Sequence, residues 1–287
     1  MDNLRGAVLM TLAMLAFALE DTAIKFLSGA LPTWQIVLTL GLGGAPIFAT
    51  LVLLQREALW SPGFLHPAVV VRTVAEMVGM VGFVTALALA DLSTATAIAQ
   101  SAPLMVTLGA ALFLGEAVGW RRWTAILCGF GGILLIVRPG TAGFDANALF
   151  AVVGVLGLAL RDLATRRVPA GTSSAQLSWL AYLATLPGAG VLAMTFGGAW
   201  VTPNTAELSL LSAIILIGVL AYISLVAATR IGEISFVTPF RYCRMVFALI
   251  LAWLVFAERP DGWMILGIVI IITSGLFTLA RERRSQS

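Results

Sequence analysis

Two arginines, Arg241 and Arg244, stand one helical turn apart in the apolar run Ser235–Phe256, SFVTPFRYCRMVFALILAWLVF. A run of that length can cross a bilayer, and at ~1.5 Å rise per residue Arg244 falls near the middle of a ~30 Å hydrocarbon core. An arginine at that depth costs at least ~2.5 kcal/mol on insertion scales. A counter-ion, a water-filled cavity or an anionic ligand must offset that cost. Glu76 lies about as deep in another apolar run, with Arg72 four residues before it, so the two can pair along one helix. Glu76 is equally a candidate counter-ion for Arg241 or Arg244, or a protonatable group. Asp21 with Lys25, and Asp162 with Arg166, repeat the four-residue spacing near opposite ends of their runs. They suit the two mouths of a pathway, with solvated helix-end pairing as the plainer reading. Lys25 has Glu20 and Asp21 close by and is a candidate substrate contact.

Within the runs, Glu20, Asp21, Glu76 and Asp162 face Lys25, Arg72, Arg161, Arg241 and Arg244, a small positive excess. Water, an uncharged acceptor or a substrate carboxylate can meet it. Gln100, Tyr222 and Tyr242 are polar groups that either line a cavity or bond between helices. Pro103 and Pro239 free backbone groups inside their runs and are candidate bends for gating, alongside Asp21 and Asp162. No metal site is expected: His66 is the single histidine, and Cys128 and Cys243 lie in apolar runs without ligand spacing. No enzyme motif is found and no cofactor is expected; no phosphate-binding loop appears, so ATP is not expected to drive the protein directly.

These groups need a frame, and the composition supplies it. The chain of 287 residues is 60% hydrophobic and 11% charged, which marks an all-α polytopic membrane protein. Ten spans are predicted: Gly6–Ser28, Trp34–Leu54, Pro67–Ala90, Ser93–Leu114, Trp123–Val137, Asn147–Thr165, Ala175–Phe196, Leu208–Thr229, Ser235–Phe256 and Gly262–Ala280. The first run is too long and too charged for a cleaved signal and is expected to be retained. Placing both termini in the cytoplasm puts Arg5, Arg56, Arg121, Arg122, Arg166, Arg167, Arg230, Arg281, Arg283 and Arg284 inside, against Arg138 and Arg259 outside. Tryptophans at run ends, such as Trp34, Trp60 and Trp200, fit an interfacial belt. The net charge of +3 is no nucleic-acid signal; membrane lipid and a small-molecule substrate are the expected partners, and a monomer is plausible.

The chain repeats itself. Ala18-Leu19-Glu20-Asp21 and Lys25 match Ala159-Leu160-Arg161-Asp162 and Arg166, while Gln35 matches Gln176 and Pro46 matches Pro187. Each half, 1–143 and 144–287, holds an odd number of spans, so the second enters the membrane inverted. In that frame Leu92-Ser93-Thr94-Ala95-Thr96-Ala97, Pro103, Leu114-Gly115-Glu116 and Gly132, echoed by Ile234-Ser235, Glu258 and Gly275, resemble the signature of EamA-type transporters of the drug/metabolite transporter superfamily. The resemblance implies ten helices in two inverted five-helix repeats around a central cavity. It also implies export of small metabolites from the inner membrane, amino acids including aromatic ones, by alternating access. Arg244, with Arg241 or Lys25, would hold the substrate carboxylate. Phe17, Phe83, Tyr222, Phe236 and Tyr242 would form the apolar wall. One departure is visible: Pro103 has Met245 as its repeat mate, the proline having moved to Pro239. A proton-coupled extruder of drugs or cationic metabolites, using Glu20 or Glu76, is the first alternative; a membrane scaffold is the second.

Overall fold

The computed structural model describes residues 2–113, 119–231 and 234–286; the signature residues Leu114-Gly115-Glu116 lie outside them. Ten helices among the described residues are long and apolar enough to cross a membrane, and no strand occurs among those residues. In chain order they are α1 (Asp2–Ser28), α2 (Thr33–Leu54), α3 (Pro67–Leu89), a fourth span broken into α4 (Leu92–Ala99) and α5 (Ala102–Phe113), α6 (Trp120–Val137), α7 (Ala148–Thr165), α8 (Ser174–Phe196) and α9 (Thr205–Ile231). The ninth span comprises α10 (Ile234–Val237), a 3₁₀ turn Thr238–Tyr242 and α11 (Cys243–Phe256); α12 (Gly262–Gln286) is last.

Local sequence explains several starts. Ser173 and Gln176 close a reciprocal capping box on α8. His66 Nδ1 accepts from the Ala68 amide at 3.2 Å ahead of Pro67, a first-turn proline. Asp261 caps α12 through the Met264 amide at 2.9 Å and also accepts from Arg138. That hydrogen bond from Arg138 holds the Asp261 carboxyl below the usual carboxylate range. Helix α6 begins at Trp120, a turn earlier than predicted, because Arg121 and Arg122 lower the local hydropathy without weakening helix propensity.

The expected bends at Pro103 and Pro239 take a different form. Each proline sits in the first turn of a new segment, α5 or the 3₁₀ turn, where its missing N–H is tolerated. The breaks fall at Gln100–Ser101 and at Tyr242–Cys243, which are repeat mates. Moving the proline therefore lengthened the irregular stretch of the ninth span without moving where its long helix begins.

The four most extensive packing pairs come from opposite halves, α1 with α9, α3 with α7, α2 with α8 and α6 with α12, and α4 also meets α11. Exchanging the halves maps this set onto itself. The matched glutamines follow the same rule. Gln35 exchanges two hydrogen bonds with the Val201 backbone, at 2.6 and 3.1 Å, while Gln176 donates to the Ala58 carbonyl at 2.9 Å. The α3–α7 crossing is a backbone contact. A Cβ on Gly157 would lie 2.5 Å from the Gly79 nitrogen, and one on Gly154 would lie 2.8 Å from the Phe83 nitrogen. Close approach of this kind is what small residues allow between membrane helices. We expect Gly157→Ala to cost roughly 1–3 kcal/mol, since backbone cannot yield as a side-chain tip does. Gly131→Ala, which meets open space, serves as the neutral control. Equal thermal stability of the two variants in detergent would refute the crossing as a close-packed contact.

Candidate functional site

The α1–α9 and α3–α7 pairs bring the ionisable residues of the spans to one central region. Arg244, at the start of α11, donates to Asp21 on α1 from Nε at 3.0 Å and from Nη2 at 2.8 and 2.7 Å. Its guanidinium lies over two rings, 5.2 Å from the Phe17 centroid and 5.4 Å from that of Phe83. The paired, stacked guanidinium thus has its carboxylate supplied from within the protein. Glu76 on α3 takes Arg72 at 3.2 Å and Arg161 of α7 at 2.8 Å, and Arg161 also holds its neighbour Asp162 at 2.8 Å. Arg72 further donates to the Leu177 carbonyl at 2.9 Å. Glu76 therefore pairs with Arg72, as its spacing suggests, and with Arg161 in place of Arg241 or Arg244.

Lys25 leaves this centre. It donates to the Ala90 carbonyl, lies 3.8 Å from Glu258 and sits over the Phe256 ring at 5.4 Å. Glu258 caps α4 across the two halves, accepting from the Leu92 amide at 2.8 Å, the Ser93 amide at 2.9 Å and the Ser93 hydroxyl at 2.6 Å. Desolvation beside this closure, with the negative charge of Glu258 adding to it, pushes the neighbouring Asp91 carboxyl up. With Lys25 engaged here, the centre holds four acids, Glu20, Asp21, Glu76 and Asp162, and four arginines, Arg72, Arg161, Arg241 and Arg244. Two of the eight, Glu20 and Arg241, make no hydrogen bond or ion pair to a described residue. Arg241 is exposed although the charges of Asp162, Arg161 and Arg244 all act on it.

The remaining candidates divide. Phe17 and Phe83 stand at the Arg244 guanidinium. Gln100 is buried at the α4–α5 break. Tyr222 packs edge-on to Phe48, which stacks on Tyr182 at 5.2 Å. Tyr182, which from its helix face alone suits outer packing, turns inward, with Glu20, Glu76 and Tyr222 acting on its hydroxyl. Tyr242 is buried against α12, where a Cβ on Gly275 would meet its hydroxyl at 1.7 Å. Phe236 is exposed and packs on Phe240. Asp21 partners Arg244 while Lys25 turns to Glu258, so the Asp21–Lys25 pair offered by their spacing is not made; Asp162 partners Arg161. Arg161 was the residue least visible beforehand; the signal for it is that it stands, as an arginine, at the repeat position of Glu20.

The comparisons with known proteins agree with this architecture. A sequence model of the EamA-like transporter family matches the chain twice, over residues 4–138 and 146–280. The S-adenosylmethionine uptake transporter of Rickettsia prowazekii is 26% identical, over 99% of this chain and 95% of its own length. A riboflavin transporter of Rhizobium johnstonii is 30% identical, over 98% of this chain and 93% of its own. A pseudopaline exporter of Pseudomonas aeruginosa is 30% identical, over 97% of each chain. One crystal structure superposes with a TM-score of 0.62 at 19% identity, covering 98% of this chain and 99% of the other, which speaks to the fold alone.

Proposed function

The chain belongs to the EamA-like transporter family, and on that premise we propose that it exports a small metabolite bearing a carboxylate, an amino acid with an aromatic or other apolar side chain, across the inner membrane. The observation that carries this reading is Arg241, a residue of the charged centre on which the charge of Asp162 acts but which makes no hydrogen bond or ion pair to a described residue. A cation in the membrane interior needs an anionic partner, and a substrate carboxylate suits a guanidinium fork. Arg244 and Glu76 frame the site through the pairs they already make, while Lys25 belongs to the closure with Glu258. Phe17 and Phe83 provide an apolar face beside it. The substrates named for the relatives, S-adenosylmethionine, riboflavin and pseudopaline, mark how widely the family frame varies its cargo.

Transport proceeds by alternating access of the halves 1–143 and 144–287. With both termini cytoplasmic, as the arginine bias suggests, the Glu258–Ser93–Lys25 closure faces outward and Arg241 lies toward the inner end of the ninth span. The proton-coupled cation extruder is favoured by one observation, the unpaired acid Glu20; its other acid, Glu76, is held by two arginines.

The deciding experiment is counterflow of labelled phenylalanine into liposomes containing the purified protein. We expect saturable exchange competed by unlabelled amino acids, and in Arg241→Gln an apparent KM raised roughly tenfold or more, the effect of losing a charge-assisted pair. Unchanged affinity in a folded Arg241→Gln protein would remove the carboxylate anchor. Exchange of organic cations alone would favour the extruder.

A further inference from the structure

Glu20 is the acid counterpart of Arg241. It lies eight residues before the end of α1, about 12 Å at helical rise, and it is half-buried, not sealed. Its carboxylate rests against Gly218 of α9: a Cβ there would stand 2.6 Å from Oε1 and 3.1 Å from Oε2. The described groups around it are as follows. Asp21 adjoins it in sequence, and Arg244 of α11 acts on it but spends its donors on Asp21. Tyr182 of α8 lies within its field, and α9 carries Tyr222 one turn beyond Gly218. Helices α2, α4 and α10 present no titratable side chain, and the 3₁₀ turn brings Arg241 and Tyr242. On α3, Arg72 and Glu76 satisfy each other. Among the described residues, no arginine or lysine makes a hydrogen bond or ion pair to Glu20. The charge of Arg244 acts on both Glu20 and Arg241, so both belong to the same charged centre.

An ionised carboxylate in this setting requires a cation, and without one it takes up a proton. We infer that Glu20 is the cation-binding half of the substrate site, occupied by a proton when the site is empty. A substrate carrying both a carboxylate and a cationic nitrogen is then exchanged for that proton. The carboxylate half rests on the Arg241 reading above. The step is a simple displacement: the ammonium arrives at the Glu20 carboxylate as the proton leaves it, and on the opposite side of the membrane the order reverses. No bond to carbon changes and no oxidant is needed. One proton moves inward for each substrate carried outward.

Two readouts test this. Infrared spectra of the substrate-free protein should show a carboxylic-acid C=O band that Glu20→Gln lacks, that Glu20→Asp keeps, and that phenylalanine abolishes in the unaltered protein. In counterflow, the unaltered protein should prefer phenylalanine over phenylpropionate, which lacks the amine, and Glu20→Gln should shrink that preference roughly tenfold or more. Should Glu20→Gln fail to fold, Gly218→Ala presses on the same carboxylate and should shift the band. A band retained in Glu20→Gln, an unshifted band in Gly218→Ala, or an undiminished preference would overturn the proposal. The carboxylate reading fails separately, if Arg241→Gln leaves competition by phenylpropionate intact.

Discussion

Asp21→Asn should lower the stability of the protein by roughly 3–5 kcal/mol, the cost of leaving a buried charge without its partner. The side chain of Asp21 is 4% exposed and that of Arg244 22% exposed, so little water is available to take over. Stacking on Phe17 and Phe83 contributes only when the guanidinium stays in place. Glu20 cannot simply substitute. One residue along a helix turns the side chain by about 100°, and Glu20 is directed at Gly218. The measurement is reversible unfolding in mixed micelles for Asp21→Asn, Arg244→Gln and the double variant. The double variant should cost clearly less than the two singles summed, because removing both charges leaves none orphaned. Strict additivity would show that the pair contributes nothing as a pair.

The second large effect is expected at the closure between the halves. Glu258→Gln keeps the shape of the side chain but discards the charge that the Leu92 amide, the Ser93 amide and hydroxyl and Lys25 all address. Glu258 and Lys25 expose only 9% and 15% of their side chains, so the interaction is little screened. Hydrogen bonds to charged groups contribute about 1.5–3 kcal/mol each, and a neutral amide retains part of that. A local loss of about 2–3 kcal/mol is expected, equal to a roughly 30- to 150-fold faster opening-limited amide exchange at the start of α4. Hydrogen exchange by mass spectrometry reads this directly, with α8, capped by its own Ser173–Gln176 box, as internal reference. Unchanged protection at Leu92–Ala95 would show that Glu258 does not hold the halves together at this face. If α4 does open, the transport cycle should be biased toward the state in which that face is unlocked.

Much of the frame was legible in the residue order. A bilayer demands about 20 apolar residues per crossing, so the spans announced themselves, and the matches Gln35 with Gln176 and Asp21 with Asp162 exposed the repeat. Helix ends were less legible at Trp120, where two arginines masked the first turn of α6. The break in the ninth span was located by its proline, yet the long helix restarts at Cys243, in register with the first half.

The chain's residue order determined which charges enter the membrane and at what depth, because burying a charge is costly enough that each occurrence reports a need. Only the tertiary structure decided the partners. Lys25 passes over Asp21, four residues away, for Glu258; Asp21 takes Arg244; Glu76 gains Arg161. The reason is physical. Within one helix only residues three or four apart can meet, whereas glycine-lined crossings such as α3–α7 bring whole helix faces from the other half into reach. In a medium with little water a charge is stabilised by the opposite charge nearest in space. Among the described residues, Glu20 and Arg241 are the two central charges that make no hydrogen bond or ion pair.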